Sequence, residues 1–275
     1  MKKKVILITG ASSGIGYNTA KELALQGHTV YAAARRTEMM EPLKEFGVRT
    51  MAMDVTREDT MAAGVQRVLG EQGRIDILVN NAGYGYFGAI ETVSMEEARR
   101  QIEVNVFGLA RLTQLVLPHM RASHGGRIIN TASVAGRICL AYGGWYHVSK
   151  YSVEAFSDAL RIEAKPFGID VVLIEPGAIR TDWGIIAADH LLESSKGTVY
   201  EESAGREAAL MHRYYRSGLF SGPEAVTRCI CRAVNSRRPR CRYNPGRGAG
   251  LLLFWHAILP ARVWDAVNRI AVGMK

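Results

Sequence analysis

The sequence predicts an α/β protein, a doubly wound parallel sheet of about seven strands with helices on both faces. Three observations carry this reading. Short β-branched runs alternate with longer stretches of helical apolar spacing. Glycines stand where those helices should stop, and a glycine-rich turn directly follows the first apolar run. The chain has 275 residues, 48% hydrophobic and 22% charged, a balance that excludes disordered, collagenous and fibrous classes. At this length most apolar surface can be buried without a disulfide or metal staple. No repeat or low-complexity linker interrupts the pattern, so residues 1–275 are expected to form one domain.

Val5–Ile8, Thr29–Ala33, Arg49–Met53, Ile75–Val79, Arg127–Asn130 and Asp170–Ile174 read as strands buried on both faces. Between them, Ile15–Gln26, Arg57–Gln72, Ser94–Arg121 and Tyr146–Phe167 carry helical periodicity. Gly27, Gly73, Gly125-Gly126 and Gly168 end these helices. Two regions break the rhythm. Residues 184–222, helical but irregular, are inserted after the sixth strand. Ligands of open α/β sheets bind beyond the carboxyl ends of strands, so this insertion is expected to be a substrate lid. The extension from 237 to 275 carries Arg237, Arg238, Arg240, Arg242 and Arg247, then Leu251–Leu253, Phe254 and Trp255. Either it rests peripherally on an anionic membrane, or its leucines pack on the sheet or a subunit interface and its arginines are solvated. The second reading is favoured.

Lysine and arginine number 35 against 26 acids, a net charge of +9. Such a charge favours a phosphorylated cofactor, an anionic membrane or nucleic acid. No nucleic-acid motif accompanies it, so no nucleic-acid partner is expected. Cys139, Cys229, Cys231 and Cys241 lack zinc-ligand spacing and read as free thiols in a reducing compartment, with no metal. The basic start before Val5–Ile8 is too short in apolar length for a signal peptide, and no stretch of about 20 apolar residues follows. A cytoplasmic location is expected.

The first strand runs into Thr9-Gly10-Ala11-Ser12-Ser13-Gly14-Ile15-Gly16. In this Rossmann-type turn Gly10 permits a tight bend, Gly14 lets backbone approach a pyrophosphate, and Gly16 allows close helix packing. Ser12, Ser13 and Ile15 complete the loop, whose anion meets free N–H groups at a helix N-terminus. The second strand ends in Ala34 where an acid would bind the adenosine ribose, and Arg35 and Arg36 follow. Loss of that carboxylate removes repulsion against a 2′-phosphate, and an arginine fork binds one. NADP(H) is therefore the expected cofactor; the alternative is a solvated arginine pair.

Tyr146 and Lys150, four residues apart at the start of a helix, share one face. A cation about 4 Å from a phenol favours phenolate by a few kcal/mol at an effective dielectric near 20, drawing its pKa toward neutrality. Such a tyrosine passes protons to or from a carbonyl or alcohol oxygen. Alone, this spacing more often marks a packed tyrosine beside a solvated lysine. Its company is more specific: Ser133 after the fifth strand, Asn80-Asn81-Ala82-Gly83 after the fourth, Asn105 inside the long helix, and Asp54 ending the third strand. Tyr142 suits either a pocket or packing, and His147 is expected to point away from the face of Tyr146.

Together these residues resemble the short-chain dehydrogenase/reductase family across nearly the whole chain. The resemblance implies that Tyr146 is the acid/base, that Ser133 hydrogen-bonds the substrate oxygen, and that Lys150 lowers the tyrosine pKa and holds the nicotinamide ribose. It implies that Asn105 anchors a relay water, that Asp54 and Val55 lie around the adenine, and that Asn81, Ala82 and Gly83 flank the cofactor. Pro176, Gly177 and Thr181 resemble the segment that holds the carboxamide. The loop, the second strand and the tail are also similar to the 17β-hydroxysteroid dehydrogenase-like and 1-acyl-dihydroxyacetone-phosphate reductase-like subgroup. That likeness implies a lipophilic carbonyl or alcohol (steroid, retinoid or acyl-ketone) and a homo-oligomer. Val134, Ala135, Leu140, Tyr142 and Trp183 are expected to line the substrate pocket. Ile185, Ile186, Leu191 and Leu192 suit either that pocket or a helix core. The rival reading is an NADPH-binding regulatory sensor with vestigial activity.

Overall fold

The β-branched runs become strands β1 (Val5–Thr9), β2 (Thr29–Ala34), β3 (Arg49–Ala52), β4 (Ile77–Asn80), β5 (Gly126–Thr131), β6 (Ile169–Ile174) and β7 (Arg242–Tyr243). In the computed structural model, which describes residues 3–274, they form one parallel sheet in the order β3-β2-β1-β4-β5-β6-β7. Parallel pairing requires crossovers, so the helices lie on both faces. They are α1 (Gly14–Leu25), α2 (Glu58–Gln72), α3 (Met95–Ile102), α4 (Leu109–Ala122), α5 (Gly144–Ala164), α6 (Asp182–Ser195), α7 (Glu201–Arg216), α8 (Glu224–Asn235), α9 (Ala249–Ile258) and α10 (Ala261–Ala271).

Alternation along each strand divides the core into two layers. Ile6, Ile8, Val30, Ala32, Val79 and Ile129 meet Ala20 and Leu23 of α1 and Val226 and Ile230 of α8. Leu7, Tyr31, Leu78 and Ile128 meet Val65 of α2, Leu112 and Val116 of α4 and Leu160 of α5. The strand order reverses between β1 and β4. A crevice opens there at the carboxyl edge of the sheet, the place where such sheets bind ligands.

The single long helix expected over Ser94–Arg121 is broken. Between α3 and α4, Glu103–Gly108 winds as a wider π turn that contains Asn105. The extra residue per turn re-aims the side chain, as π bulges do at functional sites. Residues 184–222 are more regular than expected: α6 and α7 occupy most of them. Glu38–Phe46, a 3₁₀ segment, and α8 had no counterpart in the sequence reading.

The arginine-rich extension does not behave as one solvated run. Arg237, Arg238 and Arg240 are exposed ahead of β7, at the sheet end opposite the glycine turn. Arg242, by contrast, lies in β7 and is drawn inward by Glu154, Asp158 and the fully buried Glu175. The leucines divide too: Leu252 and Leu253 pack on Val134, Ile138 and Trp264, whereas Leu251 is exposed. All four cysteines are free thiols. No helix among the described residues is long and apolar enough to cross a membrane.

Arg242 joins β7 to α5 and to the end of β6. Replacing it by methionine leaves buried Glu154 without its ion-pair partner and Glu175 with Arg137 alone, a loss of about 3–5 kcal/mol. Urea unfolding of Arg242→Met at neutral pH should therefore show a markedly lower midpoint. The deficit should shrink in acid as Glu154, which burial raises to about 7, takes up its proton.

Candidate active site

The glycine turn closes the crevice between β1 and α1. Gly10 and Gly14 have positive φ (66° and 55°), a conformation that disfavours any side chain. A Cβ on Gly10 would also press on the Ala82 backbone at 2.7 Å, and one on Gly16 would overlap the Gly10 carbonyl. Ser13 stands extended at the N-cap without a side-chain cap, and no acid occupies the first turn of α1. The first amides of the helix are thus left to an external anion. Gly14 faces open space, with only the Thr181 methyl within 4 Å, so the glycine turn and Thr181 converge. This uncapped, unobstructed cradle fits a dinucleotide pyrophosphate. Ser12 is half-buried within it, and Ile15 turns partly into the core.

The loop after β4 fastens to the same turn. Asn81 donates from Nδ2 to the carbonyls of Thr9 (3.1 Å) and Gly10 (3.3 Å). The Asn81 and Ala82 amides donate to Thr9 Oγ1 at 3.1 Å. Beyond β2, Arg35 and Arg36 are exposed. Burial and the Glu97 charge push the phenol of Tyr84, on the β4 loop, up to about 12, opposed by Arg100 and more weakly by Arg35. Both arginines stand just beyond the carboxyl end of β2, on the sheet edge that carries the glycine turn. Asp54 stands two residues past β3, not at its end, and its carboxylate closes a local turn by accepting from Thr56 N and Oγ1. The Val55 backbone abuts Gly108 at the start of α4.

Asn105 is buried at the hub of the site. Its Nδ2 donates to the Tyr84 carbonyl (2.8 Å) and to Ser149 Oγ (3.0 Å), and its Oδ1 accepts from the Tyr84 amide (3.0 Å). A Cβ on Gly83 would sit 3.0 Å from that Oδ1 and 3.7 Å from Lys150 Nζ. Lys150, also buried, donates to the Thr131 carbonyl at 2.9 Å. Ser133 caps a short 3₁₀ turn, accepting from Ala135 N and donating to the Pro176 carbonyl. Gly177 in turn donates its amide to the Pro245 carbonyl.

The protonation states depart from the sequence expectation. Tyr146 is wholly buried, and desolvation raises its pKa well above the ordinary phenol value; a Ser133 hydrogen bond opposes this only in part. Lys150 does not bring it down, because its ammonium lies 5.9 Å from the ring centre and is directed to Thr131. Burial lowers Lys150 itself to about 8 against the supporting charge of Glu154. Desolvation thus keeps the phenol protonated and weakens the hold of the lysine on its own proton.

An aromatic wall surrounds Tyr146. Trp183 lies 5.0 Å and Phe87 5.7 Å from its ring, and a Cβ on Gly85 would collide with Trp183. Tyr142, Ala135 and buried faces of α6 and α7 join the same cluster. Tyr142 Oη and Ser203 Oγ lie 2.5 Å apart, in hydrogen-bond contact, which ties the loop to α7. Leu191 is core, whereas Ile186 and Leu192 are exposed. Val134 and Leu140 do not join this wall. Val134 packs toward Trp264 of α10, and Leu140, exposed, faces α10 across an open cavity. Phe87 and Gly85, by contrast, were missed because an irregular loop has no periodicity to read.

The His147 ring meets Tyr146 edge-on at 6.3 Å, and its nitrogens are bonded to the preceding loop. Its Nδ1 lies 2.9 Å from the Ala135 carbonyl, and its Nε2 accepts from the Leu140 amide at 3.0 Å. Only the neutral ring protonated on Nδ1 makes both bonds. Burial lowers the His147 pKa and so favours that form. The ring staples the Ser133–Tyr142 loop to the first turn of α5.

Known proteins resemble this chain in sequence and fold. The family model described as short chain dehydrogenase matches residues 4–189. The chain is 37% identical to a 3-ketodihydrosphingosine reductase of Bacteroides thetaiotaomicron, over 90% of this chain and 89% of that one. It superimposes on a short-chain dehydrogenase from Streptomyces avermitilis with a TM-score of 0.81 and 31% identity, covering 100% and 99% of the two chains. An alcohol dehydrogenase of Thermococcus sibiricus, complexed with 5-hydroxy-NADP, matches with a TM-score of 0.71 and 25% identity over 88% and 96%. The chain belongs to the short-chain dehydrogenase family of oxidoreductases, which act on alcohol and carbonyl groups.

Proposed function

We propose that this protein is an NADP(H)-dependent reductase of a lipophilic ketone, of the steroid, retinoid or acyl-ketone kind, acting reversibly with Tyr146 as its acid/base. The observation that carries this reading is the convergence of Ser133, Tyr146, Lys150 and Asn105 beside an uncapped helix N-terminus. Gly10, Ser12, Ser13, Gly14, Ile15 and Gly16 would hold the pyrophosphate, and Arg35 the 2′-phosphate. Asp54 and Val55 would border the adenine, and Asn81, Ala82, Gly83, Pro176, Gly177 and Thr181 the remainder. When bound, the cofactor supplies or accepts a hydride at the substrate carbon.

The chain supplies the proton. A carbonyl oxygen placed between Ser133 Oγ and Tyr146 Oη receives hydrogen bonds from both once Ser133 turns its proton from the Pro176 carbonyl, and these stabilise the negative charge that develops there. Tyr146 reaches neutral pH with its proton held by burial, the form needed for reduction. After transfer, the Lys150 ammonium stabilises the phenolate. Lys150, weakened toward about 8, returns a proton along the Asn105 side. Trp183, Phe87 and Tyr142 exclude water and favour an apolar substrate; the similarity to a 3-ketodihydrosphingosine reductase supports the same class. Helices α6 and α7 act as the lid. Exposed Val148, Tyr151 and Ile162 on α5 support a homo-oligomer.

Given a panel of steroid, retinoid, acyl-ketone and small polar carbonyls, NADPH consumption should occur selectively with a lipophilic member. Tyr146→Phe should abolish it while NADPH binding, followed by fluorescence, stays nearly intact. Tight NADPH binding without turnover of any member would instead favour a sensor. Replacing Arg35 by glutamate should shift the kcat/KM ratio toward NADH by about tenfold or more, the cost of one lost charge-assisted phosphate contact. Reductive kcat/KM should fall as pH rises through about 8, where Lys150 loses its charge. Glu154→Gln removes a carboxylate that favours the ammonium, so the falling limb should move to lower pH.

A further inference from the structure

Helices α9 and α10 fold against each other through Leu252, Leu253, Leu259 and Trp264. His256 meets the Trp264 ring edge-on at 4.9 Å. With one apolar side of α9 so used, the other is still apolar: Leu251, Phe254, Trp255 and Ile258, spaced i, i+3, i+4 and i+7, are all exposed. On α10, Val263, Val267 and Ile270 form a second exposed stripe, and Ile270 is 76% accessible. Two consecutive helices thus turn apolar faces to solvent, an arrangement that marks a docking surface.

The surrounding charge identifies the occupant. Arg247, Arg262 and Arg269 are exposed around these stripes, with Asp265 the single acid from residue 246 to residue 274. None of the three arginines lies within ion-pair distance of a carboxylate among the described residues. On the α10 helical wheel Arg262 and Arg269, seven residues apart, lie together along one side of the stripe. They also line, with Asp265, Cys139, Leu140, Ala141 and Asn268, a cavity of about 670 Å³ that stays net positive. An isologous contact with a second copy would set each patch against itself and bring arginines together. A surface of phosphates above acyl chains complements both features, and Trp255 suits its boundary.

We propose that the α9–α10 hairpin docks this protein on an anionic phospholipid bilayer, with the exposed stripes at the acyl boundary and Arg262 and Arg269 on lipid phosphates. Helices of 10 and 11 residues lie in the interface and do not cross it. The hairpin also walls the loop that carries Ser133 and Tyr142. Trp264 Nε1 donates to the Cys139 carbonyl at 3.0 Å, and Ala249 touches Gly177. Docking therefore sets the mouth of the site at the lipid surface. This extends the lipophilic-substrate reading, but binding is measured without turnover, so the two stand or fall separately.

The full-length protein should cosediment with phosphatidylcholine vesicles that contain phosphatidylglycerol. It should bind pure phosphatidylcholine weakly and be released by salt. Arg262→Glu with Arg269→Glu should lower partitioning about tenfold or more. Phe254→Asp with Ile258→Asp should abolish it, with thermal midpoint and solution mass unchanged. The proposal is overturned if the wild-type protein stays in the supernatant or if the arginine variant partitions like wild type. It is equally overturned if the apolar variant dissociates into smaller species in sedimentation velocity, for then the stripes bury against a second copy.

Discussion

Parallel pairing is the constraint on which the rest of this structure depends. Because every strand runs the same way, every carboxyl end opens on one edge of the sheet. Because the order reverses between β1 and β4, the crossovers leave in opposite directions and part at that edge. The glycine turn after β1 and the asparagine loop after β4 therefore become neighbours. Thr9 is the joint between them: its Oγ1 accepts two amides of the β4 loop, and its carbonyl accepts Asn81. No local preference of either loop would bring them together.

Within that crevice, desolvation sets the chemistry. Tyr146 and Lys150 are both removed from water, and both shift toward their neutral forms, the phenol upward and the ammonium downward. The polar atoms around them are committed to defined partners, with Asn105 as the hub and the Thr131 and Pro176 carbonyls as further anchors. A π turn in the middle of a long helical stretch is what aims Asn105 inward. His147 holds the substrate-side loop by two bonds that require its neutral form. The site is thus held by groups whose protonation depends on burial, and burial depends on the packing of α6 and α7 over it.

The charge of the chain is divided by function of place. Arg242 serves the interior, neutralising Glu154 and Glu175 where α5, β6 and β7 meet. Arg35 is exposed just beyond the carboxyl end of β2, and Arg262 and Arg269 lie exposed on α10 of the apolar hairpin. One net value of +9 summarises arginines with different tasks, and only their positions in space separate them.

The sequence by itself determined the parallel sheet and the glycine turn, because each depends on local composition or on a strand-to-helix junction, while Ser133, Tyr146 and Lys150 stood out through their resemblance to a known family. The short apolar runs at Val5–Ile8 and Asp170–Ile174 are legible because a strand covered on both faces is apolar at nearly every position. The tertiary structure decided what depends on distant residues. It broke Ser94–Arg121 at Asn105, because the partners of that side chain come from Tyr84 and Ser149. It drew Arg242 out of a seemingly solvated run, because Glu154 and Glu175 are some 70 to 90 residues away in sequence. It turned Val134 and Leu140 toward α10, away from Tyr146. It also raised the Tyr146 pKa where spacing to Lys150 had suggested a fall, since helical spacing gives a distance along one face and says nothing about how much water remains.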